Sequence, residues 1–225
     1  MSGHGIRFNI TPELFHRDPQ ATPYGQRLLS NSIELIDELG IEKFTFKKLA
    51  LEIDSTEASV YRYFENKHKL LLYLSCWYWE WVYYLLDINL KNIEDPKRRL
   101  DITIHNIVNA SSESPLTEYI NENLLHKVVI KESTKAYHIH NVDEENKEGY
   151  FISYKVLVGK VSGIISEMNP SFPYPKMLAS NLFEMANNQI YFAEHLPKLT
   201  DIKDRKKKYD DLEEAMKYFV YRLLE

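Results

Sequence analysis

Residues 45–71 read T-F-K-K-L-A-L-E-I-D-S-T-E-A-S-V-Y-R-Y-F-E-N-K-H-K-L-L, and this stretch decides the fold. Thr45 is placed to cap a helix, because its hydroxyl can accept from the orphan amides of a first turn. Leu49, Ala50 and Ile53 then fall on one helical face. Asp54-Ser55 breaks the pattern, and Thr56 offers a second cap with Glu57 in the following turn. Val60 and Phe64, four apart, are the expected anchors of this second helix. Glu57, Ala58, Ser59, Tyr61 and Tyr63 are left for an outer surface. Two short helices joined by a tight turn, with a third helix opening at Asn66 or Lys67, form a helix-turn-helix pattern, whose second helix enters a DNA major groove.

Working outward, Thr22-Pro23 starts a preceding helix as cap and first-turn proline. Its apolar face is Leu28, Leu29, Ile33, Ile36 and Leu39, and Gly40 is the expected stop. Residues 1–21 read as extended or irregular, punctuated by Gly3, Gly5, Pro12 and Pro19. They are expected to fray, although Arg7 and Arg17 could reach DNA as an arm.

Taken together, Leu39-Gly40, Phe44-Thr45-Phe46, Leu49-Ala50 and V-Y-R-Y-F-E-N-K-H-K-L at 60–70 resemble the signature of TetR-type transcriptional repressors. The resemblance covers roughly residues 24–72, about a fifth of the chain. It implies an all-α protein: a three-helix helix-turn-helix DNA-binding head at residues 1–66 and a helical ligand-binding and dimerisation body of about six helices at 67–225. It also implies a ligand-responsive regulator, a homodimer on a double-stranded DNA operator, released by a small molecule. By position, Lys47 matches a base or backbone contact of the family. Tyr61 and Lys67 match its phosphate contacts, which set register without reading sequence. Glu57, Ala58 and Ser59 open the recognition helix. A glutamate there accepts from cytosine N4, or serves only the helix end, and Ala58 can touch a thymine methyl. Tyr63 is a candidate for either kind of contact, and the caps Thr45 and Thr56 complete the DNA-facing set.

Composition bounds the alternatives. The 225 residues suffice for a substantial core, and aromatics at 13% argue for order. Cys76 is the single cysteine, so no intrachain disulfide can form and a reducing compartment fits. Residues 1–20 lack the charged, apolar, small pattern of a leader, which makes the cytoplasm the expectation. Net charge is −5. Residues 1–75 hold nine Lys/Arg against ten Asp/Glu, so non-specific affinity for phosphate is expected to be low. That balance keeps a second reading open, a helical small-molecule- or partner-binding protein whose head does not engage DNA.

The long helix from Lys67 to about Ile93 contains a run, Leu70–Leu86, of seventeen residues with one charge, Glu80. That run falls short of the ~20 residues a bilayer needs, and a mid-span carboxylate costs about 2.5 to 3.5 kcal/mol. A buried helix is expected, with no membrane partner. Further helices follow from Asp95-Pro96, from Ser114-Pro115 (carrying Leu116, Ile120, Leu124 and Val128), from Gly149 to Met168, from Lys176 to Leu196 and from about Asp204 to Leu224. Residues 131–149 read as a polar loop or frayed helix. The resemblance implies a ligand cavity among the helices of 67–168, for which Trp77, Trp81, Tyr84, His105, Tyr119 and Tyr154 are the candidates. They would suit an apolar or aromatic ligand. On the last two helices, Leu178, Leu182, Met185, Gln189, Ala193 and Leu196 recur at helical intervals. Tyr209, Leu212, Met216, Phe219 and Leu223 trace a heptad seam. The family likeness assigns Leu182, Met185, Gln189, Leu212, Met216 and Phe219 to a four-helix dimer interface.

Enzyme signatures are weak. There is no Gly-rich phosphate loop and no nucleophile elbow. Glu122 and His126 stand four apart without a second pair to complete a di-metal bundle. His138, His140, Asp143 and Glu144 lie in the polar stretch and are expected to be solvated. No cofactor or metal is called for, and Cys76 reads as an inert buried thiol.

Overall fold

The computed structural model describes residues 6–111, 118–132, 134–204 and 206–225. Among these the secondary structure is helical throughout, with no strand. The α-helices are α1 (Pro23–Lys43), α2 (Phe46–Glu52), α3 (Glu57–Tyr61), α4 (Lys67–Asn89), α5 (Pro96–Asn109), α6 (Glu122–Glu132), α7 (Thr134–Tyr137), α8 (Val142–Lys147), α9 (Ile152–Met168), α10 (Pro175–His195) and α11 (Lys208–Leu224). Short 3₁₀ turns occur at Pro12–Leu14, Pro19–Ala21 and Pro197–Leu199. The expected helix start at Ser114-Pro115, and Leu116 with it, lies outside the described residues. The stretch expected to be a polar loop or frayed helix holds α7 and α8, both short. No described helix is long and apolar enough to cross a membrane.

Packing groups the chain differently from the functional division drawn at residues 66 and 67. One unit is Met1–Glu80 with Ser111–Ser153, and the other is Trp81–Ala110 with Tyr154–Glu225.

In the first unit, α1 buries Leu28, Leu29, Ile33 and Ile36 as its spacing dictates. Thr22 caps it, its hydroxyl accepting from the Gly25 amide at 3.0 Å. Gly25 has no substitute, since a Cβ there would stand 2.3 Å from the Pro19 carbonyl oxygen. Gly40, at φ 74°, does not end the helix as expected. It kinks it, and one more turn follows to Lys43. The amide freed at the kink, Ile41 N–H, donates to the buried Glu132 carboxylate of α6 at 3.2 Å. The expectation of a frayed N-terminus is corrected for residues 6–22. The Phe8 amide donates to Gln20 Oε1 at 3.0 Å, and Gln20 Nε2 donates back to the Phe8 carbonyl at 2.8 Å. The Phe8 ring stands edge-on to Trp77, and Ile10 and Leu14 are buried. An apolar residue at every few positions gives this segment enough burial to overcome its ordering entropy.

In the second unit, Asp95 caps α5 by accepting from the Arg98 amide at 2.7 Å. Leu100, Ile104, Ile107 and Val108 face inward, and α5 packs against α10 and α11. The buried line of α11 is Leu212, Met216, Val220 and Leu224. On α10 it is Leu178, Ala179, Leu182, Phe183, Ala186, Ile190 and Ala193. The phenol of Tyr221 donates to Asp101 at 2.7 Å and joins α11 to α5.

Candidate nucleic-acid interface

The helix pair is held by local chemistry at its starts and by apolar anchors behind. Thr45 Oγ1 accepts from the Lys48 amide and Thr56 Oγ1 from the Ser59 amide, each at 3.2 Å. Both hydroxyls satisfy amides that a short helix otherwise leaves unpaired. Between the helices Asp54 turns the chain at φ 48°. The Ser55 amide donates to the Ala50 carbonyl at 2.8 Å, and the Ser55 hydroxyl shares a 2.9 Å hydrogen bond with the Tyr24 phenol of α1. Phe46, Leu49, Ala50, Ile53, Val60 and Phe64 are buried. The turn is therefore fixed from three sides, and the outward faces of α2 and α3 follow from it.

That outward set is Thr45, Lys47, Thr56, Glu57 and Ala58, all exposed, with Ser59 half-buried. Tyr61 is 47% exposed and its ring stands edge-on to Phe46 at 5.0 Å. Arg62 is exposed beside it. Two expected contacts are placed elsewhere. Tyr63 is buried, and its hydroxyl shares a 2.9 Å hydrogen bond with Thr22. The Arg17 guanidinium sits 5.4 Å from the centre of the Tyr63 ring, so Tyr63 is a brace for α1 and not a DNA-facing residue. The Lys67 ammonium donates to the carbonyls of Ile41 at 2.8 Å and Glu42 at 3.0 Å. It thereby caps the C-terminal end of α1, the end at which cations are favoured. Lys48 makes a similar tie, to the Lys43 carbonyl at 2.9 Å. These partners are distant in sequence or lie across a turn, and no periodicity signals them.

Ties to α6, α7 and α8 surround the Lys67 cap. Lys131 pairs with Asp37 at 2.6 Å, Lys135 with Glu132 at 2.9 Å and with Glu42 at 3.4 Å, and His68 with Glu145 at 2.7 Å. Glu132 was not among the sequence-derived site residues, because its partner is a kink amide 91 positions away.

The aromatic ligand candidates do not form one group. In the first unit Trp77 is fully buried under Phe8. Tyr119 donates to Gln20 at 3.3 Å, and burial pushes its phenol up to about 12. In the second unit Trp81 is buried and stacks with the half-buried Tyr84 at 5.8 Å, and its indole N–H donates to the Ala110 carbonyl at 3.0 Å. Tyr154 stands edge-on to Phe183 at 6.0 Å. His105 is exposed and pairs with Glu213 at 2.7 Å. Of the expected interface residues, Leu182, Leu212 and Met216 belong to the chain's own core. The seam reading is corrected for these three, since they face neighbouring helices of the same unit. Met185 and Gln189 are half-buried, and Phe219 is 51% exposed. These last three, with Tyr218 and Leu199, line a groove of about 530 Å³.

Burial also raises the thiol of Cys76 to about 12, with Glu80 adding to the effect, which keeps it protonated and unreactive. Among the described residues, no group of three or more His, Cys, Asp or Glu side chains is placed to hold a metal ion.

The fold and the braced helix pair define an all-α protein with a helix-turn-helix head. Residues 28–74 match the model of the bacterial regulatory proteins of the tetR family, and the all-α fold that carries this head is TetR-like. A transcriptional regulator from Rhodococcus sp. Rha1 superposes with a TM-score of 0.63 at 15% identity, covering 92% of this chain and 96% of that one. AibR in complex with isovaleryl coenzyme A and operator DNA gives 0.59 at 15%, covering 88% and 98%. The superantigen PfiT gives 0.60 at 14%, covering 91% and 98%. Comparison with curated protein sequences finds no match.

Proposed function

We propose that this protein is a ligand-responsive transcriptional regulator, a homodimer that binds a double-stranded DNA operator through α2 and α3 and is released from it by a small molecule. One observation carries this reading: the anchors of both helices are buried while Thr45, Lys47, Thr56, Glu57, Ala58 and Tyr61 face outward around a braced turn. A recognition surface needs both features, rigidity behind and short polar side chains in front. AibR, which was solved with an acyl coenzyme A and operator DNA, supports pairing the two ligand types on this fold. The exposed Phe219 with Met185 and Gln189 is the proposed dimer face, and the cytoplasm is the proposed compartment. Trp81, Tyr84 and Tyr154 are the proposed contacts for an apolar or aromatic effector. Such a ligand acts only by binding one spacing of the two heads more tightly than the other.

A second reading has its own support. The head is close to neutral and the Lys67 ammonium is engaged with carbonyls. PfiT, described as a superantigen, shares the fold. Under this reading the protein binds a small molecule or a protein partner and no DNA. Selection from a random duplex library separates the two. Enrichment of a two-fold symmetric sequence, abolished by Lys47→Ala or Tyr61→Ala, is the expected result. Failure to enrich any sequence at low salt overturns the DNA reading in favour of the second.

A further inference from the structure

Four side chains of the first unit form a ladder of alternating charge and ring. The Arg17 guanidinium stands 5.4 Å from the centre of the Tyr63 ring, that ring lies 5.4 Å from Tyr24, and the Arg27 guanidinium stands 5.8 Å from Tyr24. Both arginines are exposed, whereas Tyr63 is buried and Tyr24 half-buried. The ladder is fixed at each end. The His16 amide donates to the Tyr63 carbonyl at 2.8 Å, which anchors the segment that carries Arg17. The Tyr24 phenol shares its hydrogen bond with Ser55, in the turn between α2 and α3. Since α3 ends at Tyr61, one guanidinium is held by a ring just past its last turn and the other by a ring bonded to the turn before it.

These two cations are available to an anion. Among the described residues neither Arg17 nor Arg27 makes an ion pair. The acid next to Arg17, Asp18, is turned to the Gln20 amide at 2.9 Å. Three other cations of the head are already engaged: Lys48 and Lys67 with backbone carbonyls, and Lys69 with Glu65 at 2.8 Å. The near-neutral count of the head thus conceals two free guanidiniums at the flank of α3, and only the footprint of a DNA-binding protein need be basic. Stacking on a ring also holds a guanidinium in place while leaving its in-plane N–H donors for a planar or phosphate partner.

We infer that Arg17 and Arg27 form a phosphate clamp, two guanidiniums that contact the operator backbone beside the recognition helix and supply the anchoring that Lys67 does not. The inference rests on the DNA-binding reading above and adds two residues to it. A major groove is about 12 Å wide, so a helix seated in it has a phosphate strand along each side, and cations held one aromatic ring from α3 reach a backbone. Arg–phosphate pairs are directional as well as charged, so the clamp sets the angle of α3 without reading a base.

The test uses the full chain with two duplexes, an operator obtained by selection and a short duplex of unrelated sequence. Affinity is followed against salt for the parent, R17Q/R27Q and R17K/R27K. The slope of log affinity against log salt should fall by about 0.9 for each arginine, hence by about 1.8 in R17Q/R27Q, on both duplexes and with the selected base preference unchanged. R17K/R27K keeps the charge and should keep the slope. Both arginines are exposed; if the double glutamine variant nevertheless does not fold, R27Q alone decides, with an expected fall of about 0.9. A folded glutamine variant with the parent's slope overturns the clamp and leaves the operator reading standing. A parent chain that binds neither duplex at low salt overturns both.

Discussion

Lys67 lets two roles be separated by one substitution. The family likeness puts a phosphate contact at this position, whereas the structure puts its ammonium on the carbonyls of Ile41 and Glu42. Lys67→Met keeps the apolar stem and removes the charge. Hydrogen bonds to a charged group contribute about 1.5 to 3 kcal/mol each when well shielded. Lys67 is half-buried and water can replace the ammonium on these carbonyls, so both bonds together are worth about 1 to 2 kcal/mol. For a chain of this size that lowers the melting temperature by about 2 to 8 °C. Circular dichroism melts measure it. The DNA arm of the assay is the slope of log affinity against log salt, which falls by about 0.9 for each phosphate the protein ceases to neutralise. The capping role predicts a lower melting temperature with an unchanged slope. An unchanged melt with a slope reduced by about one charge would refute it and restore the phosphate contact.

Four further outcomes are expected. Tyr63→Phe removes the hydroxyl that bonds Thr22 and should cost about 0.5 to 1.5 kcal/mol in urea unfolding, while leaving the salt slope of DNA binding untouched; a change in slope would return Tyr63 to the DNA face. Phe219→Glu places a charge on a side chain that is 51% exposed and should give a folded monomer by light scattering. Met216→Glu buries a carboxylate in the core and should unfold the chain, so a folded dimeric M216E would overturn that packing. Above pH 10 the phenol of Tyr119, raised to about 12 by burial, favours the folded state only while protonated. Its contribution is present below the unfolded value near 10 and disappears as pH rises from about 10 to 12. Absorbance at ~295 nm should therefore show this ionisation together with loss of helicity, and ionisation of the full tyrosine complement with the helices intact would contradict the burial.

What the sequence made legible was local. Thr22, Thr45, Thr56 and Asp95 each cap a helix three residues or fewer from the amide they bond, and the spacing alone shows it. The anchors Val60 and Phe64 follow from helical period, for the same reason. The partners of Tyr63 and Lys67, Thr22 and Ile41, lie 41 and 26 positions away, beyond the reach of a local pattern. Nothing in a one-dimensional pattern says whether a tyrosine at the end of a recognition helix turns outward to phosphate or back to the preceding helix. The α11 seam failed differently. Tyr209, Leu212, Met216, Phe219 and Leu223 satisfy a heptad, yet the line buried in the subunit steps by four through Leu212, Met216, Val220 and Leu224. Both lines share Leu212 and Met216 and diverge after them, so the period fits either. Only the presence of α5 and α10 on one side decides between them, and it turns Phe219 and Leu223 to the outside. An amphipathic helix records that it has an apolar neighbour, and it does not record whether that neighbour belongs to its own chain. The residues left outside by this choice, Phe219 at 51% and Leu223 at 56% exposure, are therefore the ones that carry the case for a partner subunit.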